Sequence, residues 1–226
     1  MRNKNKTTQK LLTAVILAAI LFSVCSCSGF GALGDLASGL QDFADNWEKY
    51  EEALSKLTNY KIVIESVDES GNKSVITEMR CDEGYAMITN DSITYVEYAK
   101  GKMYVLSTGE KTGWAYESSE TGENKGFGIA LYGYLYTFEA YKLLGAKESG
   151  SDKISGRKTT TYTFNQEGQD WKFWTDDEYG LTMKYTQKSE DGTSSMEVTE
   201  FKTSGIKLSD MVDLGEYEIQ DLNALG

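Results

Sequence analysis

From Arg157 to Phe201 polar and apolar residues alternate in four blocks, separated by short polar turns at Glu167-Gly168, Asp176-Asp177-Glu178 and Asp191-Gly192. Short turns between extended blocks predict antiparallel neighbours. In the third block Tyr179, Leu181, Met183 and Tyr185 fall on one side and Gly180, Thr182 and Lys184 on the other, the period of a strand with one covered face. A less regular alternation recurs earlier in the chain. Tyr60–Glu65, Val75–Cys81, Tyr85–Thr89, Ile93–Tyr98 and Met103–Ser107 read as strands, with Trp114–Tyr116 as a further short one. Turn residues at Ser70-Gly71-Asn72, Asp82-Glu83-Gly84, Asn90-Asp91-Ser92 and Lys100-Gly101 separate them, so the pattern predicts an antiparallel meander of about ten strands.

A different period precedes the first strand. Leu36, Leu40, Phe43, Trp47, Tyr50, Leu54 and Leu57 recur at spacings of four and three, with Asp42, Asp45, Glu48, Glu51 and Glu52 off the stripe, which predicts an amphipathic helix. Packing across a face of its own sheet would cover the stripe; a coiled-coil seam and a membrane surface are the alternatives, the latter disfavoured by the acidic polar face. Between the two sets of strands lies Gly126–Gly145, in which only Glu139 and Lys142 are charged. Phe127, Leu131, Leu135, Phe138 and Lys142 share a helical face, while Tyr132, Tyr134, Tyr136 and Phe138 also alternate as in a strand. A helix broken near Gly133 is expected, with the type over 129–141 left open by periodicity alone. The tail from Thr203 to Gly226 is expected to be an extended segment closing over the sheet edge.

The 226 residues, 40% of them hydrophobic, suit one ordinary domain behind a targeting segment. The first ten residues carry Arg2, Lys4, Lys6 and Lys10 and no acid, and an apolar run from Leu11 to Val24 follows. That is the pattern of a secretory signal; the run is shorter than the roughly 20 residues of a membrane span, so an uncleaved anchor is the weaker alternative. At its end Val24-Cys25-Ser26-Cys27 resembles the lipobox of bacterial lipoproteins. An aliphatic residue stands three before Cys27 and a small one directly before it, whereas Cys25 would put bulky Val24 beside the scissile bond. The resemblance implies a signal peptide over 1–26, a thioether-linked diacylglycerol and palmitate-type acylation at Cys27, a tether over 27–34 and a domain over 35–226. Two or more acyl chains anchor a protein stably, so the expected location is the extracytoplasmic side of the cell membrane, or the outer membrane of a diderm. An ordinary secreted protein with an accidental Cys27 is the alternative.

Removal of 1–26 leaves 19 of the 23 Lys and Arg residues against 35 Asp and Glu, a formal charge of −16. Such a surface repels nucleic acid and anionic headgroups. With Cys27 acylated, Cys81 is left alone and no intrachain disulfide forms; between Arg80 and Asp82 it reads as a strand residue, not a reactive thiol. The absence of histidine removes Ser-His-Asp and Cys-His catalysis and the commonest transition-metal ligand. The acidic pairs Asp176/Asp177 and Glu51/Glu52 are neighbours whose side chains diverge, and Asp176, Asp177 and Glu178 lack regular calcium-ligand spacing. The sequence therefore predicts no enzyme, no cofactor and no metal.

Gly156–Phe164, GRKTTTYTF, and Trp171–Tyr185, WKFWTDDEYGLTMKY, with a weaker echo at Leu57-Thr58-Asn59-Tyr60, resemble the LolA/LolB-like half-barrel superfamily, which includes LppX-like and RseB-like domains. Thr182 stands where members often have proline. The resemblance implies an α+β fold: a strongly curved antiparallel half-barrel with the N-terminal helix and the apolar insertion packed in its concave face. It further implies a hydrophobic space for a lipid or acyl chain between sheet and helices. The residues expected to line that space are Phe43 and Trp47 on the first helix, Phe127, Leu131, Leu135 and Phe138 on the insertion, and Trp171, Phe173, Leu181 and Met183, with Tyr179, on the late strands. The alternative is a filled core and a non-catalytic interaction or sensor module that binds another envelope protein.

Overall fold

The computed structural model describes residues 49–50, 52–118, 145–166 and 168–222, all within one compact unit spanning 43–226. Most of the predicted first helix and the apolar insertion over 126–144 lie outside the described residues. Twelve strands form a single curved, unclosed sheet. They are β1 Tyr60–Val67, β2 Lys73–Cys81, β3 Gly84–Ile88, β4 Ser92–Glu97, β5 Lys102–Ser107, β6 Thr112–Glu117, β7 Lys147–Ile154, β8 Arg157–Gln166, β9 Gln169–Asp176, β10 Thr182–Lys188, β11 Thr193–Lys202 and β12 Glu218–Asp221. Their spatial order is β12-β6-β5-β4-β3-β2-β1-β11-β10-β9-β8-β7. The first and last antiparallel meanders therefore join through β1 and β11, which pair across the sheet's middle.

The count corrects the expected ten strands. In β7, KESGSDKI, only Ile154 is buried, so no apolar alternation marks it. As an edge strand paired only to β8, it needs none. β12 is four residues long and lies parallel to β6. It is the part of the C-terminal segment that closes the other sheet edge, as expected. The strand predicted from Tyr179 begins instead at Thr182. The Asp176 carboxylate accepts hydrogen bonds from the backbone N–H groups of Glu178 and Tyr179, and Gly180 has φ +67°. These hold residues 177–180 in a turn, and a bulge at Met183 follows in the pairing with β9.

Register defines the two faces of the sheet. Tyr60, Ile62 and Ile64 of β1 stand opposite Arg80, Glu78 and Ile76 of β2, and on the other side Ile64 meets Val198 while Tyr185 meets Met196. Directly opposed residues share a face, so these side chains form one layer. Tyr50, Leu54 and Leu57, from the end of the helical segment, pack into the same buried cluster with Leu181, Met183, Met196 and Val198. These are the last three positions of the stripe read from the sequence; the earlier ones lie outside the described residues.

On β2 the alternate residues Met79 and Cys81 face the other way. Opposite Met79 come Ala86, Tyr95, Tyr104 and Ala115 in successive strands. The C-terminal segment covers this second face with Ile206 and Met211, flanked by Leu208, Leu214, Tyr217 and Ile219. Two hydrogen bonds pin its start, Asn59 Nδ2 to the Ile206 carbonyl at 2.8 Å and Ile206 N–H to Asn59 Oδ1 at 2.9 Å. Two buried clusters thus lie on opposite faces of one sheet, one centred on β1, β10 and β11 and the other on β2–β6.

Candidate functional site

The first face continues beyond β1 along two cross-strand rows. One runs Glu78, Met87, Thr94, Val105, Trp114, and the other Arg80, Tyr85, Val96, Met103, Tyr116. Both start in buried polar residues next to β1 and become apolar toward β6. Val96 is buried, but Met87, Met103, Val105 and Tyr116 are half-buried and Trp114 is 50% exposed. On the opposite face the same four strands bury Ala86, Ile93, Tyr95, Tyr104, Leu106 and Ala115. These strands are apolar on both faces, mostly buried on the second and half-buried on the first, so the first face offers apolar surface for a further covering element or ligand.

At the inner end of the rows lies a buried polar group of residues. The Tyr60 hydroxyl donates to Glu78 Oε1; Tyr60 and Glu78 have no exposure and Arg80 is 5% exposed. Burial, and then the neighbouring Glu78 charge, push the Tyr60 phenol well above its ordinary value. Tyr60 therefore stays a protonated donor to the carboxylate. Buried charges are retained only when paired and hydrogen-bonded, so this group closes the apolar surface on the β1 side.

Of the residues named from sequence, Phe43, Trp47, Phe127, Leu131, Leu135 and Phe138 lie outside the described residues. Leu181 and Met183 are fully buried in the cluster beneath the helical segment. Phe173 is buried on β9 and stacks on half-buried Trp171, ring centroids 5.6 Å apart and planes within 6°. Tyr185 tilts against both. Sequence reasoning missed the apolar rows on β3–β6. Their signal was present in the unbroken run Met103-Tyr104-Val105-Leu106, since a strand apolar at every position has both faces engaged.

The acidic turn is occupied by cations of the chain itself. Arg157 Nε donates to Asp176 Oδ2 and Arg157 Nη2 to Glu178 Oε2 at 2.9 Å, with the guanidinium over the Tyr179 and Phe201 rings at 4.7 and 5.1 Å. Lys158 pairs with Asp177 at 2.9 Å, and Thr160 donates to it at 2.8 Å. The Arg157 hydrogen bond holds the Glu178 carboxyl below its usual range. Among the described residues no three His, Cys, Asp or Glu side chains are grouped as metal ligands. Cys81 is buried in the cluster under the C-terminal segment, as a strand residue should be.

No protein-family model and no curated protein sequence matches this chain. Solved structures with a similar fold include an uncharacterized conserved protein from Thermus thermophilus, with TM-score 0.42, 8% identity and coverage of 80% of this chain and 98% of that one. A chain of the MucA/MucB complex of Pseudomonas aeruginosa gives TM-score 0.43 and 12% identity, covering 77% of this chain and 62% of that one, so this protein spans under two thirds of its length. The Mycobacterium tuberculosis lipoprotein LppX gives TM-score 0.31 and 11% identity, with 74% and 98% covered. MucB and LppX fall in the RseB-like and LppX-like groups named by the sequence resemblance. At TM-scores below 0.5 these likenesses carry no argument about function.

Proposed function

We propose that this protein is a non-catalytic, lipid-anchored module of the cell envelope that binds an acyl chain or similar apolar ligand on the first face of β3–β6. The observation that carries the reading is the pair of cross-strand rows in which Met87, Met103, Val105, Trp114 and Tyr116 stay half-buried or exposed while Ala86, Ile93, Tyr95, Tyr104, Leu106 and Ala115 on the other face are buried. Burial of apolar area contributes about 25 cal/mol per Å², so a chain laid along these rows gains affinity without any charged contact. The ligand surface thus falls on the early meander, away from Leu181 and Met183. Anchoring would come from diacylglycerol on Cys27, for which the Val24–Cys27 pattern is the support.

The test is native mass spectrometry with lipid extraction on the chain purified without detergent. A stoichiometric adduct of lipid mass is expected, and Val105→Asp should abolish it while leaving the circular dichroism spectrum unchanged. A clean apo mass, unaltered after incubation with phospholipid vesicles, would sink the lipid reading in favour of an envelope-protein partner for the same surface. Separately, Cys27→Ser should move the protein from the membrane to the soluble fraction; continued sedimentation with membranes would remove the anchor from the account.

A further inference from the structure

We propose that a polar cleft at the mouth of the β1–β2 hairpin is a binding site for a neutral saccharide. It is an open cleft of about 540 Å³, walled by the last residues of β1, the hairpin turn, the start of β2 and the adjoining parts of β10 and β11. It lies on the same face as the helix-covered cluster, since Ser66 stands opposite both Ser74 and Met196. Ligand pockets of this size commonly accept small organic molecules, so the lining chemistry decides the class.

That lining is mostly hydroxyls and carboxamides with one aromatic ring, and it also includes the charged Asp68, Glu69 and Lys73 and the aliphatic Val67. Ser66, Ser74 and Ser194 contribute hydroxyls, Asn72 and Gln187 carboxamides, and Tyr185 a phenol on a half-buried ring. The carboxamides are held in place. Ser194 Oγ donates to Gln187 Oε1 at 3.1 Å, and Gln187 Nε2 donates to Gln169 Oε1 at 2.9 Å. Asn72 Nδ2 donates to Asp68 Oδ2 at 2.8 Å. Each carboxamide has one further amide hydrogen, and each oxygen has spare acceptor capacity. Ser66, Ser74 and Tyr185 add hydroxyls that can each donate and accept. A ring fixed beside alternating donors and acceptors suits a molecule with an apolar C–H face and a rim of hydroxyls, which is a pyranose.

Other ligand classes fit less well. Among the described lining residues an acyl chain would find one aliphatic side chain, Val67. Among the same residues a phosphate or sulfate would meet Asp68 and Glu69 against one cation, Lys73, an unfavourable balance for an anion. Hydrogen bonds from Asn72 and Ser70 hold the Asp68 carboxyl below its usual range, so it remains an ionised acceptor at neutral pH. Trp171 stands directly opposite Gln187 across β9 and β10, its ring 6.0 Å from that of Tyr185. The aromatic surface therefore continues past the cleft along β9, in the direction a second sugar unit would take.

The experiment is isothermal titration calorimetry of the intact chain with chitotriose and, separately, with maltotriose, up to millimolar concentrations. At least one is expected to bind. Gln187→Ala should weaken it by about tenfold, the effect of losing one or two hydrogen bonds to a bound ligand. Ser74 is exposed at the rim, so Ser74→Trp should abolish binding by filling the cleft even if the Gln187 variant does not fold. Val105→Asp, on the apolar rows, should leave saccharide affinity unchanged. Absence of heat with both sugars, or binding untouched by both Gln187→Ala and Ser74→Trp, would overturn the proposal.

Discussion

Gly180 occupies a position with two requirements that no other residue meets together. Its φ of +67° is in the left-handed region, and a Cβ added there would overlap the Tyr50 ring at Cδ2 and Cγ. The turn after Asp176 and the docking of the helical segment therefore depend on the same missing side chain. Gly180→Ala should destabilise the domain by about 1–3 kcal/mol, read as a lower urea midpoint with an unchanged slope. Tyr60 offers a second residue-scale test. Tyr60→Phe keeps the ring and removes the donor to Glu78, leaving a buried carboxylate one partner short. A loss of about 1–3 kcal/mol is expected, whereas an unchanged melting temperature would show that the hydroxyl contributes nothing net. Both residues looked ordinary in the sequence. Gly180 read as an interior residue of an expected strand, and Tyr60 as the first residue of another.

Among the elements, the C-terminal segment has the largest structural role for its lack of sequence signal. Among its described residues Ile206 and Met211 are buried, and with their neighbours they cover the cluster built on Met79, Cys81, Ala86, Ile93, Tyr95, Tyr104, Leu106 and Ala115 on the second face. Lys111 fixes its end through Glu216 at 3.1 Å and by lying over the Tyr217 ring at 4.8 Å, and Lys102 pairs with Asp221. Exposed pairs of this kind contribute little each, so the apolar contacts hold the segment. Met211→Ala should cost about 2–4 kcal/mol. Truncation after Thr203 should expose Ile93, Tyr95 and Leu106 and produce binding of the dye ANS, and a truncated chain that melts like the parent would contradict this role. Strands with strict alternation were readable because their period is imposed by one covered face. β7 and β12 were not, because an exposed edge strand and a four-residue parallel strand are specified by pairing with a neighbour and carry no period of their own.

At the scale of the whole molecule the charge balance determines the response to pH. Glu178 and Glu200 are held below the ordinary carboxylate range, Glu178 by Arg157 and Glu200 by Lys202 and then Lys61. The folded state therefore binds fewer protons than the unfolded state in acid. The stability these groups contribute is complete above the unfolded values, near about 4.3, and is lost as pH falls through the lower folded values. Tyr60 and Tyr185 are raised, chiefly by burial, so their contribution is complete below about 10 and is lost as pH rises beyond it. Melting temperature against pH should be flat across neutrality and fall at both ends; a maximum below pH 4 would mean that relief of the net negative charge outweighs the lost pairs. The sequence by itself determined the strand periods, the turn positions, the amphipathic stripe ending at Leu57 and the acidic character of the surface. Each is a local pattern, set by neighbours within a few residues. Only the tertiary structure decided which face of each strand is covered and by what. The two buried clusters on opposite faces, the apolar rows on β3–β6 and the polar cleft beside Tyr185 arise from strands brought into register by pairing. Alternation shows that two faces differ, and the packing partners determine which one is inside.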